Sequence, residues 1–268
     1  MDRERICLGH YALRHVPVEE RFAAAAAAGF TGIGVAWSEV ANSSHDLERV
    51  RSSLESSGLS ASMLEIIRLP GTSGIQEFTT EAQRVARTAA TLDCPVVLAV
   101  CLDPTAQQEV TRQGFTTLAM ACAEHGRRCA IEFIPHLSSI SNLRSALELV
   151  RAAKVPGAGV VVDALHFVRS GAPWRELADL DPDEIAGIQL CDGLAEAPVA
   201  DYLEEAMHLR SLPGDGQFDL RRFVASLEAS GVKAPLTCEV ISDEMAKLPA
   251  EAAARRMACA MQALLRGG

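Results

Sequence analysis

The sequence predicts a single (β/α)8 barrel. Short apolar runs rich in β-branched residues alternate with alanine- and leucine-rich segments of helical period, which is the pattern of βα units, and eight such units can be counted. No Gly-, Ser- or Pro-rich linker divides the chain, so residues 1–268 are predicted to form one domain. A doubly wound sheet usually has fewer strands and a glycine fingerprint after the first one, but neither GxGxxG nor GxxxxGK[ST] occurs here.

The predicted elements alternate strictly along the chain. The strands are expected at Ile6–His10, Gly32–Val35, Ser60–Ile67, Val96–Cys101, Ala130–Ile134, Gly159–Val162, Ala186–Leu190 and Leu236–Val240. The helices are expected at Val18–Ala28, Asp46–Ser57, Gln76–Leu92, Gln107–His125, Ile140–Ala153, Trp174–Leu177, Leu220–Ser230 and Met245–Leu265. Pro17 suits the start of the first helix, where no N–H is needed, and Gly58 suits a left-handed cap after the second.

Composition excludes several classes of protein. A net charge of -10 and a pI near 5.2 disfavour nonspecific binding to nucleic acid. The chain shows neither a signal-peptide pattern nor an uncharged apolar run of about 18 residues, so no membrane association is expected and a cytoplasmic protein is predicted. The eight cysteines are scattered without a CxxC pair, which favours reduced thiols over a disulfide framework.

Polar residues stand where the predicted strands end. In a parallel barrel these positions share one mouth, however far apart they lie in the sequence. The candidates in chain order are His10, Glu65, Arg68, Glu132, His136, Asp163, His166, Gln189, Asp192 and Glu239. Any one carboxylate at a strand end is equally well explained as a helix cap or a salt-bridge partner.

Two of these carboxylates lie inside apolar runs. Glu132 occurs in CAIEFIP and Glu239 in LTCEVI, where a buried charge is costly unless it is paired or binds a cation. Two glutamates, an aspartate and an amide oxygen at one mouth would suit Mn²⁺, Mg²⁺ or Co²⁺ better than a structural zinc. Asp163 and His166 have a plainer alternative, an N-cap and a surface histidine in a βα loop.

The same residues carry a family resemblance that covers most of the chain. The segments I-E-F-I-P, G-V-V-V-D-A-L-H, I-Q-L-C-D, L-P-G-D-G-Q-F-D-L and C-E-V resemble, in this order, the xylose isomerase-like barrel superfamily of sugar isomerases, epimerases and related enzymes. The resemblance implies a divalent metal held by four strand-end residues, which here are Glu132, Asp163, Gln189 and Glu239.

Gln189 departs from the commonest pattern, in which this ligand is histidine. The glutamine variant resembles the 3-dehydroshikimate dehydratase branch, although an amide oxygen can still bind a hard cation. The superfamily also implies that His166 and Arg210 contact substrate oxygens. The remaining candidates for substrate binding are His136, Arg68 and His10.

The resemblance implies a polyhydroxylated keto substrate and a first step that removes a proton α to the carbonyl, through an enediolate. Return of the proton to the other face gives an epimer, its return to the adjacent carbon gives an isomer, and loss of a β-hydroxyl gives a dehydrated product. Glu132 and Glu239 form the acid/base pair of an epimerase version, and His166 or His136 serves a lyase version. The sequence leaves these outcomes open.

Two further interpretations are weaker. An endonuclease IV-like DNA repair enzyme is disfavoured by the acidic charge and by too few histidines for a three-zinc site, since near strand ends there are His10, His136, His166 and His208. A barrel that has lost its ligands would be a non-catalytic binding protein. Homo-oligomers are common in the superfamily, but nothing in this sequence specifies one.

Overall fold

In the computed structural model, which describes residues 6–266, eight parallel strands close into a barrel in chain order, with β1 beside β8. The strands are β1 Ile6–Leu8, β2 Gly32–Ala36, β3 Ser60–Arg68, β4 Val96–Val100, β5 Arg128–Glu132, β6 Ala158–Asp163, β7 Ile185–Leu190 and β8 Leu236–Cys238. The predicted (β/α)8, or TIM-barrel, fold is confirmed.

Helices follow the strands and cover the outside of the barrel. They are α1 Val18–Ala27, α2 Trp37–Val40, α3 Ser44–Ser57, α4 Ile75–Thr91, α5 Gln108–Glu124, α6 Leu143–Ala153, α7 Ala164–Arg169, α8 Arg175–Ala178, α9 Tyr202–His208, α10 Leu220–Ala229, α11 Asp243–Ala246 and α12 Ala250–Arg266. Two 3-10 turns, at His10–Leu13 and Pro182–Glu184, complete the described elements. None of the helices in residues 6–266 is long and apolar enough to cross a membrane.

The buried apolar residues form two clusters. The larger one lies between the sheet and the helices and includes Val97 and Ala99 of β4. The smaller one contains the alternate β4 residues Val96 and Leu98 together with residues of β3, β5, β6 and β7. Because successive strand residues point to opposite faces, the smaller cluster fills the barrel axis and closes the floor beneath the mouth.

Several predicted boundaries were wrong, each for a local reason. The predicted helix Met245–Leu265 is broken into α11 and α12, because Pro249 between them cannot donate an intrahelical hydrogen bond. The helix predicted from Ile140 begins at Leu143, because the Asn142 side chain accepts the Ser145 N–H at 2.9 Å and caps it. The predicted strand Ala130–Ile134 is Arg128–Glu132, so Glu132 is its last residue.

Short helical elements stand in the connections after four strands, at positions where the sequence predicted no helix. The first 3-10 turn follows β1, α2 follows β2, α7 follows β6, and α9 lies in the connection after β7. The predicted strand Ile6–His10 ends at Leu8, before the first 3-10 turn, and the predicted strand Leu236–Val240 ends at Cys238. These elements, of four to seven residues, place His10, His166 and the residues around Arg210 at the mouth.

Candidate active site

A cavity of about 160 Å³ opens at the carboxyl ends of the strands. Seven of the residues singled out from the sequence line it: Glu65, Arg68, Glu132, His166, Gln189, Arg210 and Glu239. Tyr11 lines it as well, and α9 contributes Leu203, Ala206 and Met207 to its wall. The barrel thus brings together side chains from β3, β5, β7 and the connections after β6, β7 and β8, as the (β/α)8 prediction required.

Glu132 and His166 lie side by side in this cavity. Glu132 ends β5, and its Oε1 lies 3.3 Å from Nε2 of His166, with both side chains less than 8% exposed. Glu132, Asp163 and His166 each offer a ligand atom within 4.8 Å of the others. An imidazole beside a carboxylate can pass a proton to or from a bound molecule, so the pair is chemically suited to acid/base work.

Asp163 is fully buried below the cavity and both of its oxygens have partners. Oδ1 accepts the His166 backbone N–H at 3.0 Å, and Oδ2 accepts Nη1 of Arg210 at 2.7 Å. Burial alone would raise the pKa of Asp163, but the neighbouring Arg210 and His166 lower it overall. Asp163 is therefore an N-cap, as its alternative interpretation proposed, and also an ionised carboxylate of the site.

Gln189 and Glu239 present oxygens without partners. Gln189 pairs with Asp163 in the register of β6 and β7, and its Oε1 is buried without a hydrogen bond, as is Oε2 of Glu239. Burial raises the pKa of Glu239 well above its usual value, with a further contribution from Glu65 and an opposing one from Arg210. Unpartnered buried oxygens are groups that a divalent cation can bind, so the residue types present fit a metal with oxygen ligands.

Arg210 is held by the protein on one side and faces the cavity on the other. Its Nε donates to the Ala206 carbonyl at 2.8 Å, and Nη1 donates to Asp163 and, at 3.3 Å, to the Glu239 carbonyl. Nη2 makes no hydrogen bond within residues 6–266. Its two N–H groups remain available to oxygens of a bound molecule.

Three predicted substrate-binding residues occupy different places. Arg68, at the end of β3, lines both this cavity and a neighbouring one of about 420 Å³. His10 lines the neighbouring cavity, and burial lowers its pKa to about 4, so the ring is neutral. His136 lines neither of these two cavities; its ring is exposed and lies 5.5 Å from that of Tyr202.

Sequence reasoning did not identify two glycines that leave room for Glu239 and Glu65, or two tyrosines that lie at the site. A Cβ added to Gly9 would lie 1.6 Å from Oε2 of Glu239, and one added to Gly34 would lie 2.1 Å from Oε1 of Glu65. Gly9 follows the end of β1 and Gly34 lies in the middle of β2, but nothing in one sequence marks either as a position that must leave room for a neighbouring side chain. The two tyrosines of the chain could have been named as site residues, because tyrosine is rare in this sequence and both lie at the cavity or contact a residue that lines it.

Asp192, another strand-end candidate, has a structural role. Its carboxylate accepts the backbone N–H groups of Gly193, Gly214 and Phe218 at 2.8–2.9 Å. These hydrogen bonds fix the loop that carries Leu-Pro-Gly-Asp-Gly beside the mouth. Asp192 is only 1% exposed and its donors are all backbone groups, so its oxygens are committed to the loop.

Comparison with known proteins gives consistent results. Residues 22–263 match the xylose isomerase-like TIM barrel family. A 3-dehydroshikimate dehydratase of Pseudomonas aeruginosa is 31% identical over 153 residues, which are 57% of this chain and 24% of that protein. The inosose isomerase of Halalkalibacterium halodurans is 28% identical over 187 residues, 67% of this chain and 65% of that protein.

Solved structures resemble the fold at lower identity. The IolI protein with a bound zinc atom superposes with a TM-score of 0.86 at 19% identity and covers 98% of both chains. This chain spans about a quarter of the Pseudomonas aeruginosa dehydratase it matches, and 37% of the Pseudomonas putida one, which is 25% identical over 86% of this chain.

Proposed function

The chain belongs to the xylose isomerase-like TIM barrel family, and we propose that it is a divalent-metal-dependent enzyme that removes a proton α to the carbonyl of a polyhydroxylated keto compound. The enzyme forms an enediolate in this step. Glu132, Asp163, Gln189 and Glu239 are the proposed metal ligands, and Mn²⁺, Mg²⁺ or Co²⁺ is the expected ion. Relatives in the family include dehydratases and inosose isomerases.

One observation carries this proposal: two buried oxygens, Oε1 of Gln189 and Oε2 of Glu239, have no hydrogen-bond partner beside the ionised Asp163. Orphaned buried oxygens next to a carboxylate are costly in a protein without a cation. When bound there, a divalent ion polarises the carbonyl and stabilises developing negative charge. The neutral amide of Gln189 favours a hard cation, although the similar IolI structure holds zinc.

The other side chains have distinct tasks in this proposal. His166 and Glu132, 3.3 Å apart, move protons at the substrate, and Glu239 is the second candidate acid or base. Nη2 of Arg210 and the guanidinium of Arg68 bind substrate oxygens from two sides of the cavity. Glu132, His166, Arg210 and Glu239 are buried, and their burial excludes water and strengthens each electrostatic contact they make.

Two outcomes of the enediolate have separate support. Isomerisation or epimerisation is supported by the inosose isomerase relatives and by the two glutamates Glu132 and Glu239 at one cavity. Dehydration is supported by the Pseudomonas dehydratases, by Gln189 in place of histidine, and by the position of His166 beside Glu132. An adjacent base and acid suit removal of a proton and a β-hydroxyl from neighbouring carbons.

Substrate profiling separates the outcomes. Cyclic polyhydroxylated ketones with and without a carboxylate are incubated with the protein in D₂O, with Mg²⁺ or after chelation. Deuterium uptake without loss of water supports an isomerase or epimerase, and a new conjugated ultraviolet absorbance supports a dehydratase. If no ketone of the panel takes up deuterium or gains ultraviolet absorbance with metal present, the proposed function is wrong. Glu132→Gln serves as the inactive control.

A further inference from the structure

Two short helices, α7 and α9, meet over the cavity and carry or contact its polar residues. His166 belongs to α7, while α9 supplies Leu203, Ala206 and Met207 to the cavity wall. Isolated helices of this length are not stable by themselves, so side-chain contacts must hold them. The direction of the His166 ring therefore depends on how α9 is attached to α7.

One attachment is a buried ion pair between Arg169 and Glu205. Nε of Arg169 donates to both Glu205 oxygens at 3.0 and 2.9 Å, and the two side chains are only 8% and 3% exposed. The remaining guanidinium nitrogens donate to the carbonyls of Ala195 at 2.9 Å and Leu194 at 2.7 Å. Every guanidinium nitrogen of Arg169 thus makes a hydrogen bond, and together these bonds fix α9 and the chain before it to the end of α7.

The second attachment is the contact between Tyr202 and His166. The Tyr202 hydroxyl forms a hydrogen bond with Nδ1 of His166, and Tyr202 is 7% exposed. Tyr202 and Glu205 are three residues apart on α9, and His166 and Arg169 are three residues apart on α7. Residues at this spacing share one helix face, so the two contacts form parallel links between the helices.

The groups that face the two ring nitrogens of His166 favour one position for its proton. Nε2 lies 3.3 Å from a Glu132 oxygen, and an N–H in this position is attracted to the carboxylate whereas a lone pair is repelled. In the tautomer with the proton on Nε2, Nδ1 accepts the hydrogen bond and the Tyr202 hydroxyl donates it. Asp163 is farther, with Oδ1 3.9 Å from Nδ1, and its charge is paired with Arg210.

We propose that Tyr202 is a positioning residue that keeps the proton of His166 on Nε2, and that the Arg169–Glu205 ion pair holds Tyr202 in place. This arrangement aims the proton at Glu132 and the cavity. His166 then presents its Nε2–H to the substrate. The inference rests on the proposed function for the use of this proton, but the hydrogen bond itself is independent of turnover.

The tautomer of His166 is measured by ¹⁵N NMR, with and without Mg²⁺. The His166 signals are assigned by their loss in His166→Gln. We expect a protonated Nε2 and an unprotonated Nδ1, a mixture of tautomers in Tyr202→Phe, and an unchanged pattern in Tyr11→Phe, the matched control. A proton on Nδ1 in the unmodified protein, or an unchanged pattern in Tyr202→Phe, would overturn the proposal.

The ion pair is tested through two variants. Arg169→Lys keeps the positive charge but cannot donate to both Glu205 oxygens as a guanidinium does, and Glu205→Gln is the milder change. Both variants should show the tautomer mixture of Tyr202→Phe. Both should lose roughly 10- to 100-fold in kcat with KM changed less, as expected for residues that orient a reacting group. Combining either variant with Tyr202→Phe should lower kcat little beyond the effect of Tyr202→Phe alone. If the fold-losses in kcat multiply instead, the ion pair does not act through Tyr202.

The two proposals fail in different ways. If metal-dependent turnover is found and the His166 tautomer is unchanged in Tyr202→Phe, only the positioning inference is wrong. If no polyhydroxylated ketone reacts, the proposed function is wrong, and the NMR pattern still decides how His166 is held. Cooperative thermal unfolding of each variant verifies that it is folded.

Discussion

Gly9→Ala should displace Glu239 and weaken metal binding, although it replaces none of the proposed ligands. A Cβ at position 9 would lie 1.6 Å from Oε2 of Glu239, so the carboxylate would have to retreat by roughly 1.8 Å to reach ordinary contact at 3.4 Å. Metal sites tolerate distance changes of only about 0.2 Å. Because the same Cβ lies 3.1 Å from the Cys238 carbonyl, the backbone leaves little room for relief on the other side.

The assay is calorimetric titration of the metal-free protein with Mn²⁺. Loss of a hydrogen-bonded support behind a ligand costs about 10- to 100-fold in metal affinity, and displacement of the ligand itself should cost at least on the order of 100-fold. Gly34→Ala is the matched control, because its Cβ would meet Glu65, which is not a proposed ligand, at 2.1 Å. Its Mn²⁺ affinity should stay within about threefold of the unmodified protein.

Unchanged Mn²⁺ affinity in Gly9→Ala would refute the assignment of Glu239 as a ligand. Equal losses in Gly9→Ala and Gly34→Ala would refute the geometric reasoning, since crowding near the first strands would then act nonspecifically. Thermal unfolding curves of both variants separate loss of metal from loss of fold.

Three other predictions concern single side chains of the site. Gln189→His should shift preference from Mg²⁺ toward Zn²⁺ in competition titrations, because imidazole is a softer ligand than an amide oxygen; unchanged selectivity would place Gln189 outside the metal shell. Burial raises the pKa of Glu65 from 4.5 to about 8, so the neutral carboxyl stabilises the fold at low pH, and the unfolding free energy of the metal-free protein should fall as pH rises through this range. Urea unfolding should show a flatter pH dependence in Glu65→Gln. Arg210→Met leaves the buried Asp163 charge unpaired, so the unfolding free energy should drop by about 3–5 kcal/mol, and Mn²⁺ should restore more stability to the variant than it adds to the unmodified protein.

The fold was predictable because long elements carry their own periodicity. The strands around Val96 and Gly159 and helices such as α5 repeat apolar residues at spacings that one sequence displays directly. Pro249 could have split the last helix by the same rules, but the alanine-rich pattern continues on both sides of it. The short α7 and α9 could not be predicted, because elements of six or seven residues have too few turns to show a period.

The site was partly predictable because carboxylates inside apolar runs are conspicuous. Glu132 and Glu239 were found in this way, and the barrel geometry brought Gln189 to the same cavity. The clearance at Gly9 and the pairing of Arg210 with Asp163 were not visible, because both depend on contacts between residues far apart in the sequence. Such contacts are set by the packing of loops at the mouth rather than by any local pattern.

The central claim is a divalent metal held by Glu132, Asp163, Gln189 and Glu239, and anomalous diffraction from crystals grown with Mn²⁺ tests it most directly. We predict one peak at the barrel mouth with an oxygen of each of these four residues at about 2.0–2.3 Å. A peak coordinated instead by His166 with Glu132 and Asp163, or no peak in protein that is active with Mn²⁺, would contradict the assignment.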